Sequence, residues 1–381
     1  MERRGPPDAW LETFKPMSAE KTIGVLTSGG DCPGLNAVLR GVVCASNNLG
    51  WRVIGFQDGY EGLLEDNLHM ELTLQNTEGI MQRGGTMLGT TNRGHFVSKT
   101  GSGKRSGIEP HIIEKTKATL HKLGIDALIT IGGDGSLATS AQLFENGIKV
   151  IGVPKTIDND LEATAMTFGF DSAVACVTDA LDRLHTTARA HKRVIVIEVM
   201  GRHAGWIALY GGLAGGADAI LIPEIPFTFD KLTNFIRRRS SEGHASTLIV
   251  VAEGAAPRGG KEHYRATTPG EYRLGGIGET VTREVDHRLN KPKLVKEIRT
   301  CVLGHLQRGG DPTTLDRILG TRFGVKAVDL IAEEKFGHMV SYQNYQVLSV
   351  PIASAVRRLK TVAPDCQMVE TCRAVGISFG D

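Results

Sequence analysis

Two acids and a lysine follow the apolar residues 151–153 in the stretch "PKTIDND". Such a set could transfer a phosphoryl group, because an acid can accept the proton of an attacking hydroxyl while cations offset phosphate charge. Asp158 and Asp160 would point the same way from an extended segment, but the segment could also be a turn. A turn rich in Asn and Asp after Pro154 explains the same residues without any catalytic role. This stretch alone does not separate a catalytic role from a simple turn, so the other loops of the chain must be considered.

Two glycine-rich loops each follow an apolar run and precede a segment with helical spacing: "TSGGDCPGLNA" at 27–37 and "IGGDGSLA" at 131–138. Glycine lets the backbone approach a ligand, and the free amides at a helix N-terminus attract an anion. Asp134 is a hard oxygen ligand, and Mg2+ binds proteins through one or two carboxylates plus substrate phosphates. A tight turn or a helix cap would explain either loop alone. The two loops together favour a phosphate and magnesium site.

Basic side chains follow similar apolar runs in two further glycine-containing loops. "VMGRHAG" carries Arg202, "GHLQRGG" carries His305 and Arg308, and Arg193 and Arg299 stand at the beginning of strands. Arginine binds phosphate through two parallel hydrogen bonds, although a single arginine is usually a surface residue. A zinc role for the histidine is not supported, because no Cys or His lies at ligand spacing. The arginines next to glycines therefore favour binding of a phosphorylated substrate.

The elements that must position these loops repeat one order. "KTIGVLTSGG" predicts a strand and turn, "LNAVLRGVVCASNNLG" a helix and "WRVIGFQDG" a second strand, and the same order returns twice further along. Such units build parallel sheets with right-handed crossovers, and short continuous apolar strands indicate sheets buried on both faces. Ligands then bind beyond the carboxyl ends of the strands. Residues 254–275 are interpreted as an exposed insertion without an assigned function.

The composition indicates an ordinary globular protein. The chain has 381 residues, of which 41% are hydrophobic and 23% charged, and its formal net charge of +2 gives no electrostatic reason to expect nucleic acid or a membrane as partner. Its six cysteines form no CxxC pair, so we expect a reducing cytoplasmic location. No apolar run approaches the roughly 20 residues of a membrane helix. Residues 1–20 lack the apolar core of a secretory signal and are predicted to be a disordered extension.

Six motifs in this order closely resemble those of the phosphofructokinase family: "GVLTSGGDCPGLNA", "GGT…LG", "IGGDGS", "PKTIDND", "EVMGRHAG" and "GHLQRGG". The resemblance runs from about Lys21 to past Leu330. It implies phosphorylation of D-fructose 6-phosphate at the 1-hydroxyl by ATP, as in glycolysis, and an α/β fold of two Rossmann-like parallel-sheet lobes with the site between them. We therefore predict a larger nucleotide-binding lobe, a smaller sugar-phosphate-binding lobe and a C-terminal segment that returns to the first lobe, at 21–157, 158–322 and 323–381.

The resemblance also implies the role of each site residue. Asp158 would be the base that accepts the proton of the sugar hydroxyl, and Asp134 would hold Mg2+. The sugar phosphate would contact Thr156, Asp158, Arg193, Met200, Gly201, Arg202, Glu253, Arg299, His305 and Arg308. The nucleotide would contact Gly29, Arg93 (preferred to Asn92), Gly133, Asp134, Gly135 and Ser136. Arg193 and Arg299 would reach the sugar of a neighbouring subunit, which predicts a homodimer or homotetramer with shared sites.

Two positions concern the phosphoryl donor. Family members that use pyrophosphate usually carry Asp in place of Gly135 and Lys at position 155, whereas ATP-using bacterial members usually have Gly at both. This chain has Gly135 and Lys155, as in a mixed branch that looks mostly ATP-dependent. We expect ATP, because an acid at position 135 would crowd and repel the α-phosphate. The alternatives are a pyrophosphate-dependent enzyme, a lipid or NAD kinase, and a non-catalytic sugar-phosphate-binding regulatory subunit.

Overall fold

The computed structural model describes residues 20–91, 93–96, 107–268, 271–289 and 297–381. Its strands are β1 (Thr22–Thr27), β2 (Arg52–Phe56), β3 (His69–Leu72), β4 (Ala127–Gly132), β5 (Val150–Pro154), β6 (Arg193–Val199), β7 (Ala219–Leu221), β8 (Thr247–Ala252), β9 (Tyr264–Thr268), β10 (Glu271–Leu274), β11 (Glu297–Val302), β12 (His338–Gln343) and β13 (Gln346–Pro351).

The α-helices connect these strands and cover the sheets. They are α1 (Leu35–Asn48), α2 (Pro110–Lys122), α3 (Asp134–Glu145), α4 (Phe170–His191), α5 (Trp206–Ala214), α6 (Phe229–Ser241), α7 (Ile277–Leu289), α8 (Thr314–Ala332), α9 (Ile352–Ala355) and α10 (Gln367–Ala374). Short 3-10 helices occur at Gly59–Leu63 and Gly304–Gln307. None of the helices that the structure describes is long and apolar enough to cross a membrane.

The larger sheet has seven strands in the order β13-β12-β5-β4-β1-β2-β3. Its inner pairings are parallel, whereas β3 and β13 pair antiparallel at the two edges. Every residue of β4 and β5 is buried, which is the pattern of a sheet covered on both faces. Helices α1 and α8 pack closely on one face, because Gly41 and Gly324 lie where a Cβ would be 2.6 Å from Thr321 O and 2.3 Å from Val38 O.

The smaller sheet has four strands in the order β11-β6-β8-β7, and all three of its pairings are parallel. One of its two inner strands, β8, is buried along its whole length. The predicted α/β class with two parallel-sheet lobes is therefore confirmed. The hairpin β9–β10 forms a separate two-stranded sheet inside the predicted insertion at 254–275, where the sequence did not indicate strands.

The C-terminal segment visits both lobes. Strands β12 and β13 extend the larger sheet. The last residues instead reach the smaller sheet: Ile220 N donates to Ser378 O at 2.9 Å, Ser378 N to Asp218 O at 3.1 Å and Thr228 N to Gly380 O at 2.8 Å. Main-chain bonds to β7 and its flanks thus hold these last residues at the smaller sheet, and the prediction that 323–381 returns to the first lobe stays a prediction. The other lobe boundaries stay a prediction, and residues 1–19 of the predicted extension lie outside the described part.

Candidate active site

The candidate site is formed by loops at the carboxyl ends of strands in both sheets. The loops after β1, β4 and β5 are joined by main-chain bonds, since Ser28 N donates to Ile131 O at 2.8 Å and Lys155 N donates to Gly132 O at 2.9 Å. The loops after β6 and β8 are joined in the same way by Glu253 N and Val199 O at 2.8 Å. This position matches the rule that open parallel sheets bind ligands beyond the carboxyl ends of their strands.

The loop after β5 is a turn, so the extended alternative for "TIDND" is wrong. Asn159 has φ 51°, in the left-handed region that Asn tolerates better than most residues. Its Oδ1 accepts a hydrogen bond from Thr167 N at 3.2 Å, and Thr167 Oγ1 donates to Thr156 O at 2.7 Å. Asp158 N donates to Thr156 Oγ1 at 3.0 Å. These bonds give the two acids a defined turn and not a strand edge.

The two acids of this turn are buried. Asp158 is 3% exposed, and no described donor lies within hydrogen-bonding distance of its Oδ1. A buried carboxylate oxygen without a donor is costly, so the oxygen is suited to a hydroxyl that a substrate would bring. Burial, followed by the charges of Asp158 and Asp134, raises the pKa of Asp160 to about 7. The turn therefore concentrates negative charge that a cation must offset.

Arg202 supplies this cation from the smaller lobe. Its Nε lies 3.9 Å from Asp158 Oδ2, and its Nη1 lies 3.8 Å from Asp134 Oδ1. Its backbone is held in the left-handed region at φ 52°, and its N–H donates to Glu253 Oε1 at 3.0 Å. The neighbouring Gly201 has φ 140°, and a Cβ there would lie 2.6 Å from Ala204 O. Burial raises the pKa of Glu253 to about 7. One guanidinium thus faces two carboxylates across the cleft.

The first turn of α3 forms the other wall of the cleft. The helix begins at Asp134 directly after Gly133, so its free amides face the cleft, where an anion is favoured. Ser136 Oγ donates to Ser28 Oγ at 3.0 Å, which fixes this turn against the loop after β1. A Cβ at Gly135 would meet no atom within 4 Å. The cleft is therefore open beside Gly135.

The glycines of the loop after β1 have basic side chains packed against them. Lys155 is 4% exposed and its Nζ donates to Gly30 O, and Arg308 Nη1 donates to Asp31 O at 3.0 Å. Burial lowers the pKa of Lys155. Gly29 has φ 84° and receives a bond on its carbonyl oxygen from Thr90 Oγ1 at 2.7 Å. Lys155, whose partner the sequence left undefined, thus faces this loop.

Three further residues implied by the family resemblance lie on other loops of the structure. Met200 is partly buried behind the loop after β6, and His305 is exposed in the 3-10 helix after β11. Arg93 is exposed and its N–H donates to Thr91 Oγ1 at 3.1 Å, while Thr91 O accepts from Gly29 N at 3.1 Å. Asn92 lies outside the described residues.

Arg193 and Arg299 do not join the other site residues. Both bind the side chain of Glu297, and they lie towards the amino ends of β6 and β11. Because a strand rises about 3.3 Å per residue, the seven residues of β6 place Arg193 about 20 Å from the carboxyl end of the sheet. Within one chain, Arg193 therefore lies too far away to contact a ligand bound beside Asp158.

The described part of the chain contains no group of three or more His, Cys, Asp or Glu side chains that could hold a metal ion. Mg2+ needs no such group, because one or two carboxylates and substrate phosphates suffice. Asp134 fits this requirement, since its side chain is about one-third exposed at the open end of α3.

Two residues that hold the site were missed from the sequence. Asn159 was treated only as a spacer between two acids, although its side chain closes the turn. Lys360 was not noticed, yet its Nζ donates to Asn159 Oδ1 at 3.0 Å from 201 residues further along the chain. The left-handed preference of Asn could have indicated the first. No local pattern indicates the second.

A sequence profile of the family described as "Phosphofructokinase" matches residues 22–331. The chain belongs to the phosphofructokinase family. It is 50% identical over 364 residues to a protein of Chloroflexus aggregans named ATP-dependent 6-phosphofructokinase, which covers 96% of this chain and 99% of that protein. It is 47% identical over 347 residues to a protein of Amycolatopsis methanolica named pyrophosphate–fructose 6-phosphate 1-phosphotransferase, covering 90% of this chain and 96% of that one.

Solved phosphofructokinase structures share the fold. The structure of phosphofructokinase from Saccharomyces cerevisiae superposes with a TM-score of 0.75 at 30% identity and covers 89% of this chain, which spans 45% of the yeast chain. A pyrophosphate-dependent phosphofructokinase from Nitrosospira multiformis superposes with a TM-score of 0.77 at 22% identity, covering 93% of this chain and 90% of that one. The site residues that the family resemblance implies, and their roles, stay predictions.

Proposed function

We propose that this chain transfers the terminal phosphoryl group of ATP to the 1-hydroxyl of D-fructose 6-phosphate and so forms fructose 1,6-bisphosphate in glycolysis. The observation that carries the proposal is the buried Asp158, whose Oδ1 has no donor among the described residues and whose Oδ2 faces Arg202. A carboxylate so placed can accept a hydroxyl proton while the guanidinium offsets charge on the transferred group. Close relatives named ATP-dependent 6-phosphofructokinase support this reaction.

The nucleotide would bind along the glycine loops at the end of the larger sheet. The amides of Gly133, Gly135 and Ser136 at the N-terminus of α3 would receive phosphate oxygens, with Gly29 opposite and Arg93 at the outer edge. Asp134 would hold a divalent cation, proposed to be Mg2+, which neutralises phosphate charge when it is bound.

The sugar phosphate would bind on the side of the smaller lobe. Its 1-hydroxyl would lie against Asp158 and Thr156, and its ring would lie against the loop of Met200, Gly201 and Arg202 and against Glu253. His305 and Arg308 would hold its 6-phosphate at the end of β11. Arg202 would thus contact both substrates, because it already faces acids from two loops.

A second donor, pyrophosphate, has a specific observation in its favour. Lys155 places a buried cation against the loop after β1, and two relatives at 47% identity are named as pyrophosphate-dependent enzymes. Gly135 favours ATP, because its open surroundings leave room for an α-phosphate and a nucleoside. We therefore propose ATP as the donor.

The donor assay tests this choice directly. The purified protein is given fructose 6-phosphate and Mg2+ with either ATP or pyrophosphate, and fructose 1,6-bisphosphate is measured through a coupled reaction. We expect turnover with ATP, whereas turnover with pyrophosphate alone would assign the second donor. Binding of fructose 6-phosphate without turnover by either donor would instead indicate a regulatory subunit. An Asp158→Asn variant measured in parallel excludes a contaminating kinase.

We further propose a cytoplasmic homodimer or homotetramer in which Arg193 and Arg299 reach the sugar of a neighbouring subunit. The position of Arg193 at the amino end of β6 supports this arrangement, because it leaves that side chain without a role in its own chain's site. The test mixes two inactive variants, Asp158→Asn and Arg299→Ala, after reversible dissociation. Recovery of activity would show that hybrids contain an intact shared site, whereas no recovery despite hybrid formation would contradict shared sites.

A further inference from the structure

The segment at residues 359–360 crosses the turn that carries the two acids. Leu359 pairs with Leu161 in an isolated antiparallel bridge, and Lys360 N donates to Asp160 O at 2.8 Å. Trp206 at the beginning of α5 donates from its Nε1 to Lys360 O at 2.9 Å. This segment lies beyond residue 331, where the family match ends. Its main chain is therefore anchored to both lobes beside the site.

The Lys360 ammonium uses all three of its donors inside this contact. Nζ donates to Asn159 Oδ1 at 3.0 Å, to Thr164 O at 3.0 Å and to Ala165 O at 3.1 Å. It also lies 5.7 Å from the centre of the Trp206 ring. An ammonium with three donors and no acceptor is fully satisfied by three oxygens. Lys360 thus ties the turn at Asn159 to the loop that follows it.

The bond to Asn159 matters because this residue has a conformation that L-residues adopt at a cost. Its φ of 51° turns the chain sharply between Asp158 and Asp160. Two donors hold its side chain, Thr167 N and Lys360 Nζ. Removal of the ammonium would leave one donor and would also leave the carbonyl oxygens at 164 and 165 without this partner. The turn would then relax towards conformations in which Asp158 points elsewhere.

We propose that Lys360 is a positioning residue for the phosphoryl-transfer reaction: it fixes the turn at Asn159 and thereby the direction of the Asp158 carboxylate. The proposal rests on the proposed function, in which Asp158 is the proton acceptor. Burial lowers the pKa of Lys360 to about 8, and the carboxylate that faces it is Asp160. The side chain is therefore largely protonated at neutral pH and able to make all three bonds.

The test compares Lys360→Met, Lys360→Arg and the control Lys122→Met, whose exposed side chain pairs with Asp66 away from the site. Methionine keeps the length of lysine without its charge, and the main-chain bonds of residue 360 persist in every variant. Amide exchange of peptides covering 155–168 is followed by mass spectrometry, together with kcat and the KM for ATP and for fructose 6-phosphate.

We expect Lys360→Met to speed up exchange in 155–168 alone and to lower kcat by roughly 10²-fold, the size expected when a reacting group is displaced by about 1 Å. The KM for ATP should change by less than about twofold, because Lys360 does not touch the nucleotide loops. Lys360→Arg should regain part of kcat, and Lys122→Met should match the wild type. Unchanged exchange and kcat would overturn the proposal, as would faster exchange throughout the protein. If the wild type itself does not phosphorylate fructose 6-phosphate, the proposed function fails, while the exchange experiment still decides whether Lys360 holds the turn.

Discussion

Substitution of Gly135 by aspartate should lower activity with ATP without lowering the stability of the protein. No atom lies within 4 Å of the Cβ that this change adds, and the position lies in the first turn of α3. Glycine inside a helix is about 0.5–1 kcal/mol less favourable than alanine but only slightly less favourable than aspartate, and an acid in the first turn adds about 0.3–1 kcal/mol through the helix dipole. The free energy of unfolding should therefore stay equal to that of the wild type or rise.

The same carboxylate should oppose ATP. At about 5 Å from an α-phosphate oxygen, with an effective dielectric constant near 20, two unit charges repel by about 3 kcal/mol. This free energy corresponds to a loss of roughly 10²-fold in kcat/KM for ATP. Asp134, next in the chain, makes the helix end more negative still. Pyrophosphate carries no nucleoside and no third phosphate that must pass position 135. Its kcat/KM should therefore fall less than that for ATP.

The assay measures kcat/KM for ATP and for pyrophosphate at saturating fructose 6-phosphate, with thermal unfolding recorded on the same samples. Gly135→Ala is the matched control, because it adds the Cβ without the charge and should keep its activity with ATP. A folded Gly135→Asp variant that retains kcat/KM for ATP within about twofold of the wild type would refute the electrostatic argument. An equal loss in Gly135→Ala would refute it too, because backbone freedom and not charge would then be responsible.

Three further substitutions test other parts of the site. In steady-state assays, Asp158→Asn should lower kcat by about 10²–10⁴-fold with little change in the KM for fructose 6-phosphate, because a general base acts mainly in the transition state. A loss of kcat below about tenfold would show that Asp158 is not the general base. His305→Ala should raise the KM for fructose 6-phosphate without a change in melting temperature, because the side chain is exposed. Folding raises the pKa of Asp160 from 3.8 to about 7. Between these two pH values the folded protein binds a proton that the unfolded chain has released, so the free energy of unfolding falls as the pH rises. Asp160→Asn should therefore make the fall in melting temperature between pH 5 and 7 less steep, with the raised pKa of Glu253 accounting for part of the remainder, and an equally steep fall in both proteins would contradict this assignment.

The sequence predicted those parts of the fold that repeat a local pattern. Apolar runs followed by glycine predicted β1, β4 and β6, and a run ending in Pro154 predicted β5, because strands buried on both faces need continuous apolar residues. The edge strands β3 and β13 were not predicted, since they are only partly buried and mix polar with apolar residues. The return of the last residues to the smaller sheet was also missed, because it depends on main-chain bonds that no side-chain pattern records.

The site was predictable to the extent that its residues sit in the loops after these strands. Arg202 lies within ion-pair distance of both Asp134 and Asp158, although the three residues are separated by 24 and 44 positions in the chain. Topology explains this proximity, because the carboxyl ends of both sheets face one cleft. Lys360 escaped prediction because its acceptors are a side-chain oxygen and two carbonyl oxygens in a distant turn. Such contacts depend on the folded path of the chain and not on residue type.

The distances around Arg202 explain how the site can be stable before it binds its substrates and still bind them. At 3.8 and 3.9 Å, the guanidinium is near both Asp134 and Asp158 but forms a close, directed bond with neither. Ion pairs of this length on a half-exposed side chain contribute little, so their loss costs little. A phosphate between the lobes could accept two parallel, shorter hydrogen bonds from the same guanidinium, which are stronger. Binding would therefore replace weak pairs by strong ones and would leave Asp158 free to receive the hydroxyl proton. Under the proposed function, the burial that leaves Asp158 Oδ1 without a donor is what keeps that oxygen available for the hydroxyl of the sugar.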